Sequence, residues 1–481
     1  MVVISIQELR QYLSNVADNT QSFKSFLKNL KSSNIKIFKD NQGCEIIKVN
    51  EEVYLDFSSN VFDKFNAFDF SNIIFLQKVT INNKNNTTFI FRNTKLENGF
   101  ILYDCKEITL FLNEENIFNG RISISSSEFK SININSDLKG GGEIIFRGCS
   151  FRDFNISGYK KINIDNELFL ESCIFDGKAN FTNFEFNNQI SFKMSKFENN
   201  VYFNNSIFKD FADFHECEFK NNACFYGVTF EKTPNFSQAL FKDNLNMVNT
   251  KMSFDFENAR EIIKKTEKDF NSKIMDKKKP LDKFANDFRD SFRIFKNALS
   301  KEGNILDSSN YHKVELYCKE IELDSKPNKT LQDKIDKWQL WFYRKTSEHH
   351  TDLLKIIAWV IIAIGSFGFL FFLLKCFQDI SIISQLNPYG IALSFVGVIS
   401  LWISWSIGYI HRLSLFAGIG LIFTLWIACY KPILIFGAIN LIDKTTRSGF
   451  ENFLLVLYTI VMILLLFSLQ KTARKNSIIP S

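Results

Sequence analysis

The spacing of phenylalanine over residues 173–241 constrains the fold of this chain more than any other feature of its sequence. Thirteen Phe residues follow one another at gaps that alternate between six and five residues, so each of two interleaved series repeats every eleven residues. A small side chain stands two positions before most of them, and the positions between are mostly polar. This spacing fits neither an amphipathic α-helix nor an alternating β-strand. The thirteen residues are Phe175, Phe181, Phe186, Phe192, Phe197, Phe203, Phe208, Phe214, Phe219, Phe225, Phe230, Phe236 and Phe241.

A solenoid whose coil has four sides does fit this spacing. Each side can point one large and one small residue inward, while polar residues take the corners and the outer wall. Rings of successive coils would then stack at roughly the 4.8 Å spacing of neighbouring strands. A single coil cannot bury its own Phe residues, so stability has to come from stacked neighbours. We therefore interpret the thirteen Phe side chains as an inward structural ladder, each contributing very roughly 1.5–3 kcal/mol by burial.

Units of a small residue, a polar residue and Phe recur along the segment, as in Ala179-Asn180-Phe181, Ala212-Asp213-Phe214 and Pro234-Asn235-Phe236. In these units the chain resembles the pentapeptide-repeat family, and its alternating gaps of five and six are similar to the Phe-rich subfamily. The resemblance implies a right-handed quadrilateral β-helix, that is, a β-solenoid. We assign the solenoid to residues 45–256, regular over 173–241, and interpret 45–170 as irregular coils with insertions. The alternative for 45–170 is a separate β-rich cap.

Residues 1–44 are predicted to cap the first coil, which protects the open end of a solenoid from edge-to-edge pairing. Ser5 is a candidate N-cap for a helix with one apolar face. The segment lacks the apolar core of a cleavable secretory signal, and the 9 Cys residues have no paired spacing. Both observations favour a solenoid in the reducing cytosol. The residues of the predicted apolar face are Ile6, Leu9, Leu13 and Val16.

Residues 257–352 are predicted to be a charged linker, a helical hairpin and a juxtamembrane helix. The charge-rich part over 251–290 fits attraction to anionic lipid, but we favour a solvated linker or helix face because acids and bases are interleaved. Apolar residues between 284 and 299 share one helical stripe, which Gly303-Asn304 would end. With a second helix over 306–323 this looks like the hairpin that follows Phe-type repeats in membrane-attached relatives, and we expect it to cover the last coil. Its charged residues, interpreted as outer helix faces and not as an active site, are Asp287, Arg289, Asp290 and Glu315.

Aromatic and cationic residues are mixed between Trp338 and Lys345, directly before the first long apolar segment. Such a mixture is typical of the lipid headgroup layer. His349 and His350 follow, and adjacent side chains on a helix point about 100° apart, so joint chelation of a metal is not expected. We interpret them as a solvated pair at the interface.

Residues 353–481 are predicted to form an α-helical transmembrane bundle, because a span needs roughly 20 predominantly apolar residues. The short apolar segment 433–442 is interpreted as re-entrant or interfacial. With the N-terminus inside, nine Lys and Arg residues flank the inner ends and four the outer ends. This bias favours the cell (inner) membrane with the N-terminal domain and the C-terminus in the cytoplasm. The four predicted spans are 356–374, 391–410, 413–430 and 453–469.

The spans contain almost no ionisable residue. Proteins that transport solutes or relay protons usually have a buried acid or base in their spans. Polar residues of the second span are interpreted as helix-packing residues. They are Ser394, Ser400, Ser404 and Ser406, together with Trp402 and Trp405.

No set of residues predicts a reaction, a cofactor or a metal, and we expect a protein that is not an enzyme. His215-Glu216-Cys217 with Cys224 resembles a metal site, but Cys217 falls at an inward small position, so burial is the favoured interpretation. The net charge of +6 is mild, and residues 171–250 hold 10 acids and 7 bases, so neither nucleic-acid binding nor mimicry of DNA is expected.

The leading hypothesis is a membrane-anchored interaction or scaffold protein with a rigid cytosolic solenoid. Its expected partners are the lipid bilayer and a cytosolic protein that the sequence does not identify, and formation of a homo-oligomer stays open. The alternative hypothesis is a small-solute channel or transporter component that the solenoid regulates, because four spans exceed what anchoring requires.

Overall fold

The structure is a computed structural model, and the protein divides into two compact units, Met1–Pro327 and Asn328–Ser481. Each unit is described by itself. The structure describes residues 3–5, 23–30, 33–39, 44–57, 67–154, 161–252, 255–272, 278–430, 432–435 and 448–476.

Three β-sheets form the first unit, and each takes one strand or more from every pass of the chain. Within the described residues, sheet A has nine strands: β1 (Val3–Ser5), β4 (Glu52–Asp56), β7 (Val79–Asn82), β10 (Phe100–Tyr103), β13 (Ile122–Ser125), β16 (Glu143–Arg147), β19 (Glu167–Glu171), β23 (Ile190–Ser191) and β27 (Ala212–Asp213). Sheet B, over the same described ranges, has eleven: β2 (Ile35–Lys39), β3 (Glu45–Val49), β6 (Ile73–Phe75), β9 (Lys95–Leu96), β12 (Asn116–Phe118), β15 (Leu138–Lys139), β18 (Ile162–Ile164), β22 (Phe184–Phe186), β26 (Ile207–Phe208), β30 (Thr229–Phe230) and β33 (Lys251–Met252).

Sheet C runs beside the other two along the same axis. Its thirteen strands, again counted over the described part of the chain, are β5 (Ala67–Asp69), β8 (Thr88–Arg92), β11 (Ile108–Asn113), β14 (Glu128–Ile134), β17 (Ser150–Phe154), β20 (Ile174–Phe175), β21 (Ala179–Asn180), β24 (Lys196–Phe197), β25 (Val201–Tyr202), β28 (Glu218–Phe219), β29 (Ala223–Cys224), β31 (Leu240–Phe241) and β32 (Leu245–Asn246). Neighbouring strands pair in parallel, as in β20 with β24, while β2 and β3 pair antiparallel. The first unit is thus a β-solenoid of about nine turns.

The regular part of the solenoid has a coil of four short strands. Lys196 lies opposite Ile174 on one neighbouring coil and opposite Glu218 on the other, so one coil spans 22 residues. That is twice the eleven-residue repeat of the sequence. The eleven-residue half of a coil is also visible in the backbone, because one residue in every eleven takes the left-handed conformation. These corner residues, with their φ angles, are Ser172 (54°), Asn183 (64°), Met194 (59°), Asn205 (57°), Glu216 (56°), Gly227 (68°), Gln238 (58°) and Asn249 (59°).

Upstream of Ile174 the coil has three strands instead of four. Strand β17 pairs with β20 through Phe151 and with β21 through Phe154, so one long strand continues as two short sides. The new corner between β20 and β21 contains Gly177, where a Cβ atom would lie 1.7 Å from the carbonyl oxygen of Arg152. All three sheets continue through the described parts of residues 45–170, in line with the interpretation of these residues as irregular coils of the same solenoid. The irregularity lies in sheet C, whose long and unbroken strands give these coils three sides instead of four.

Helix α1 (Phe23–Asn29) covers the start of the solenoid core. The ring of Phe23 packs on the rings of Phe68 and Phe70, with centroids 5.6 Å and 5.5 Å apart. Ser5 ends strand β1. The helix predicted after Ser5, with Ile6, Leu9, Leu13 and Val16, lies outside the described residues.

Three helices follow the last strand of the first unit: α2 (Phe256–Ser272), α3 (Leu281–Lys301) and α4 (Ile305–Ser325). Helices α3 and α4 form the predicted hairpin, with Gly303 at a φ of 78° between them. Phe295 of α3 packs edge-on against Phe236 of the solenoid at 4.7 Å, and Tyr311 of α4 packs against Phe295 at 5.6 Å. The expectation that the hairpin covers the last coil is therefore confirmed. Most of the charged segment before it forms α2, whose Ala259, Ile262 and Ile263 are buried.

The second unit is α-helical. Within its described residues, four helices are long and apolar enough to cross a membrane, as predicted, and they extend beyond most of the predicted span limits. A short 3-10 turn, Pro432–Ile435, contains the first residues of the segment 433–442, and the rest of that segment lies outside the described residues. The helices are α5 (Leu331–Ser347), α6 (Leu353–Gln378), α7 (Pro388–Ser406), α8 (Arg412–Tyr430) and α9 (Gly449–Asn476), with a further 3-10 turn at Ile380–Gln385.

Helices α6 and α8 approach each other closely at Gly365 and Gly420. A Cβ atom on Gly365 would lie 2.4 Å from the carbonyl oxygen of Gly420, so only glycine allows this contact. Small residues bring membrane helices together in this way. The interpretation that Ser residues of the second span do the packing was wrong for Ser400, which is exposed and donates to its own helix at Val396. Ser394 does reach a neighbouring helix, since it accepts a hydrogen bond of 2.9 Å from Trp426.

Candidate functional site: a groove on sheet A

The interior of the regular coils is filled by Phe rings in four columns, one for each side of the coil. Twelve of the thirteen side chains are buried, and Phe241 is partly buried. Stacked rings in adjacent coils lie at nearly the strand spacing, and rings of different columns meet edge to face, as Phe203 and Phe214 do at 5.5 Å. The centroid distances within columns are 4.6, 4.9 and 4.6 Å for Phe175–Phe197–Phe219–Phe241, 4.9 and 4.8 Å for Phe181–Phe203–Phe225, 5.0 and 4.9 Å for Phe186–Phe208–Phe230, and 5.1 and 4.4 Å for Phe192–Phe214–Phe236.

Small inward residues satisfy backbone groups at the corners of the coil. Ser195 Oγ accepts a hydrogen bond from the N–H of Cys173 at 2.9 Å and donates one to the carbonyl of Leu170 at 2.6 Å. Cys217 takes the equivalent place one coil later, where its thiol donates to the carbonyl of Phe192 at 2.9 Å. Burial raises the pKa of the Cys217 thiol well above its usual range, so it is held as a structural thiol. Within the described ranges, no three His, Cys, Asp or Glu side chains come together as they would for a metal ion.

The outer surface of sheet A carries two columns of polar side chains. Helix α2 and Phe284 form the opposite wall of a groove of about 450 Å³, called here the sheet A groove. The ring of Phe270 belongs to the α2 wall, and the ring of Phe211 also lines the groove. Pairing of the strands places Ser191, Asp213 and Asn235 in one column, which begins with the ring of Phe169. The second column, two residues further along the chain, is Glu171, Lys193, His215 and Ser237.

Asp213 is the central acid of the groove. Its Oδ1 accepts hydrogen bonds from the backbone N–H of His215 at 2.9 Å and from the Asn235 amide at 3.0 Å. Burial raises the pKa of the Asp213 carboxyl, although the nearby His215 and Lys193 act in the opposite direction. The carboxyl is therefore more easily protonated than a solvated aspartate.

Ser237, His215 and Glu216 lie in a line that resembles a nucleophile relay. His215 Nδ1 lies 2.7 Å from Ser237 Oγ and 3.0 Å from the Ser237 carbonyl oxygen, and Nε2 lies 3.2 Å from Glu216 Oε1. The Ser237 hydroxyl donates to the Asn235 side-chain oxygen at 2.6 Å, so in this arrangement its hydrogen is not directed at Nδ1. The three side chains form a hydrogen-bond network in which the tautomer of His215 decides whether Nδ1 donates or accepts.

Charges of both signs face the rest of the groove. Glu171 contacts Arg147 at 3.5 Å and accepts a hydrogen bond from Ser191 at 3.3 Å. The ammonium of Lys193 lies 5.9 Å from the ring centroid of Phe270. Donors, acceptors and aromatic rings therefore face one space on a rigid sheet, an arrangement suited to binding. The sequence did not reveal this groove, because its polar residues follow the same outward pattern as those of the other faces.

The charged residues of the hairpin pair with one another. Glu315 accepts hydrogen bonds from His312 and Lys296, both at 2.9 Å, and from Arg293 at 3.2 Å. Burial alone would raise the pKa of Glu315, but the hydrogen bonds from these three donors and the charge of Lys296 outweigh it and lower the pKa to about 2. Arg289 pairs with Glu322 at 2.5 Å, while Asp287 pairs with Lys279 and Asp290 with Arg293. These contacts fit the interpretation of charged outer helix faces.

The two adjacent histidines lie in an unusual backbone segment between α5 and α6. Glu348, His349 and His350 all have left-handed φ angles, of 49°, 54° and 67°. His349 is buried, so the expectation of a solvated pair was wrong for it. His350 Nδ1 lies 3.0 Å from the hydroxyl of Ser468 on α9, which ties the segment to the bundle.

The sequence did not predict one ion pair of the second unit, in which the carboxylate is buried. Lys375, in the last turn of α6, contacts Glu451 at 2.7 Å, and Glu451 is buried in the first turn of α9. Gln378 donates a further hydrogen bond to the same carboxylate at 3.0 Å. A lone acid at the start of one apolar segment and a lone Lys at the end of another were the available signals.

The fold and its core define a class of protein: a β-solenoid filled with stacked Phe rings, followed by four helices that are apolar enough to cross a membrane. Residues 170–218 match the family model described as pentapeptide repeats (9 copies). Residues 170–218 of the solenoid thus consist of pentapeptide repeats, a family whose fold is structural and non-catalytic. Neither the comparison with curated proteins nor that with solved structures gave a match.

Proposed function

We propose that the protein is a membrane-anchored, non-enzymatic interaction or scaffold module whose solenoid presents a rigid surface in the cytosol. The observation that carries the proposal is the sheet A groove, where polar side chains stand at strand spacing above the Phe core. The expected partner is a cytosolic protein, in addition to the lipid bilayer.

Rigidity supports a role in binding. The groove residues that sheet A contributes lie beside buried inward residues, as Asp213 lies between Ala212 and Phe214. Side chains fixed in this way lose little conformational entropy when a partner binds. A partner that bridges several coils would gain binding free energy from each further coil that it contacts.

The charge pattern on the outside favours a protein over a nucleic acid as the partner. Glu185 of sheet B lies between Lys161 and Lys209, and these two lysines lower the pKa of its carboxyl. Lys220 pairs with Glu198 at 2.6 Å, and Lys232 with Asp210 at 2.6 Å. Acids and bases on successive coils therefore neutralise one another, whereas nucleic acids require a surface of one sign.

The bias of Lys and Arg supports a location in the cell (inner) membrane with the solenoid and the C-terminus in the cytoplasm. Assembly of several copies is compatible with helix α7, which has no buried residue within the single chain. Both statements are part of the proposal.

The test places a photo-reactive amino acid at Gln189, inside the sheet A groove, in the full-length protein expressed in cells. A matched control places it at Thr229, an outward position of sheet B. Cross-linking followed by mass spectrometry should give a defined protein adduct from position 189 but not from position 229. The adduct should disappear with Lys193→Glu in the groove and persist with Lys251→Glu on sheet B. Equal adducts at both positions, or none at position 189, would count decisively against the proposal.

A second candidate is a small-solute channel or transporter component that the solenoid regulates. It is favoured by a cavity of about 420 Å³ between α6 and α8, lined by Phe371, Trp426 and Tyr430, and by the Lys375–Glu451 ion pair, because Lys375 also lines this cavity. Ionisable groups in or beside membrane-spanning segments often mark solute pathways. Liposomes that contain the full chain should release a labelled small solute on this hypothesis, and Glu451→Gln should change the rate. Liposomes that stay tight would exclude it.

A further inference from the structure

Helix α5 turns its apolar side outward. Leu331, Ile335 and Trp338 are spaced by four and three residues, which places them on one stripe of the helix. Their side chains are 75%, 50% and 54% exposed. In a helix of a soluble domain, such a stripe faces the core.

The other side of α5 is less exposed than the apolar stripe. Asp333, Asp336 and Arg344 lie away from the apolar stripe, and all three are partly buried. The helix thus has the opposite arrangement from a soluble amphipathic helix, in which charged residues face solvent. An exposed apolar stripe needs a medium other than water to cover it.

Cations border the stripe. Lys334 and Lys345 are both exposed, and at 100° per residue they lie beside the stripe on the same flank as the exposed ring of Trp341. A helix with an apolar side that includes Trp, and with Lys beside it, suits the boundary between acyl chains and anionic headgroups.

The C-terminal end of α5 is fixed to the apolar helices of the same unit. Trp359 of α6 donates a hydrogen bond to the carbonyl of Lys345 at 3.1 Å, and Lys355 pairs with Glu348. Ser347 accepts a hydrogen bond of 2.9 Å from Ser468 of α9. The stripe therefore lies directly before the first helix that is able to cross a membrane. A bilayer surface is the apolar medium that would be found at this position.

We propose that α5 is an interfacial helix, with Leu331, Ile335 and Trp338 inserted into the bilayer surface and Lys334 and Lys345 bound to anionic phospholipid headgroups. The inference rests on one part of the proposed function, that α6 to α9 cross a bilayer. It is independent of the sheet A groove and its partner.

The first test measures Trp fluorescence of the full chain in nanodiscs whose lipids carry bromine near the headgroup. In one variant Trp338 is the only Trp retained, and the other five of the 6 Trp residues are replaced by Phe. Its emission should shift to the blue and be quenched. A matched variant with Trp338→Phe and Leu340→Trp, whose new ring lies on the opposite side of α5, should be quenched much less.

A variant that retains only Trp402, an exposed residue of α7, reports on the membrane crossing itself. Quenching of Trp402 by lipid brominated deep in the chains, without quenching of Trp338, would overturn the interfacial helix and leave the crossing intact. Absence of quenching at both positions would overturn the crossing as well. Cross-linking of Trp338 to a second copy of the chain, with no quenching, would also overturn the inference.

The second test addresses the headgroups. Native mass spectrometry of the protein released from mixed phosphatidylglycerol and phosphatidylcholine nanodiscs should show preferential retention of phosphatidylglycerol. Lys334→Gln or Lys345→Gln should each lower that preference about fivefold, the effect of one cation near an anionic surface. Lys301→Gln, an exposed residue of α3, is the control and should leave it unchanged. Equal retention in all variants would refute the role of the two lysines.

Discussion

Phe236 is stacked on Phe214 at 4.4 Å on one side and covered edge-on by Phe295 at 4.7 Å on the other. The column of rings therefore ends against a helix and not in water. A solenoid needs such terminal covers, because each coil buries its apolar face only against a neighbour. The same logic explains the short helix at the other end, where Phe23 packs on Phe68.

Removal of one ring from the middle of a column should be costly. We expect Phe214→Ala to lower the free energy of unfolding of the first unit by about 3–5 kcal/mol, because it removes buried area and leaves a cavity. Urea denaturation of the full-length protein in detergent, followed by the circular dichroism of the strands, measures this change. Ile174→Ala, at an outward position that is 40% exposed, is the control and should stay within about 0.5 kcal/mol. Equal effects of the two substitutions would show that the rings do not dominate stability.

The corner hydroxyl of Ser195 should matter for a different reason. Ser195→Ala leaves the N–H of Cys173 and the carbonyl of Leu170 buried without this partner, so we expect a loss of about 1–3 kcal/mol. Ser195→Cys keeps a donor, as Cys217 does in a later coil, and should lose less. Thermal unfolding of the two variants compares them directly. The prediction fails if cysteine is the more damaging substitution.

The Phe ladder could be predicted because its physical cause is local. A residue such as Phe197 has the same environment as Phe219 one coil later. Residues that repeat along the sequence therefore also repeat along the solenoid. The three-sided coils were not predicted, because the long strand β17 differs from two short strands only through the corner at Gly177. Nothing in the spacing of apolar residues distinguishes a strand that continues from one that turns.

Other features were not predicted because they depend on contacts between elements that are distant in the sequence. Gly365 and Gly420 are ordinary small residues of apolar segments until the helices are placed side by side. Asp213 and His215 occupy outward positions like any others, and only the placement of α2 makes them line a groove. Burial of His349 depends in the same way on the path of the chain between α5 and α6.

Stability of the hairpin should depend on pH through Glu315. Its pKa is lowered to about 2 in the folded protein, so its stabilising contribution is present above the unfolded pKa, near 4.3, and is lost as the pH falls toward 2. The full contribution is on the order of 3 kcal/mol, from the size of the shift. Proteolysis within α3 and α4, followed between pH 5 and pH 3 with an acid-active protease, should rise in the wild type. The Glu315→Gln protein should be less stable at pH 5, and its proteolysis should be nearly independent of pH. Parallel curves of proteolysis against pH for the two proteins would contradict the role of Glu315.

The contact between α6 and α8 should tolerate no added carbon. Gly365→Ala places a methyl group within 2.4 Å of the Gly420 carbonyl oxygen, so the two helices have to separate, at a cost of about 1–3 kcal/mol as for other overpacked sites. Gly390→Ala in α7 is the matched control, because its methyl group would meet its nearest neighbour, the Cβ of Asn387, at an ordinary 3.9 Å. Thermal aggregation of the full chain in detergent should begin at a lower temperature for Gly365→Ala and at the wild-type temperature for Gly390→Ala. An unchanged aggregation temperature for Gly365→Ala would mean that this glycine contact does not stabilise the bundle.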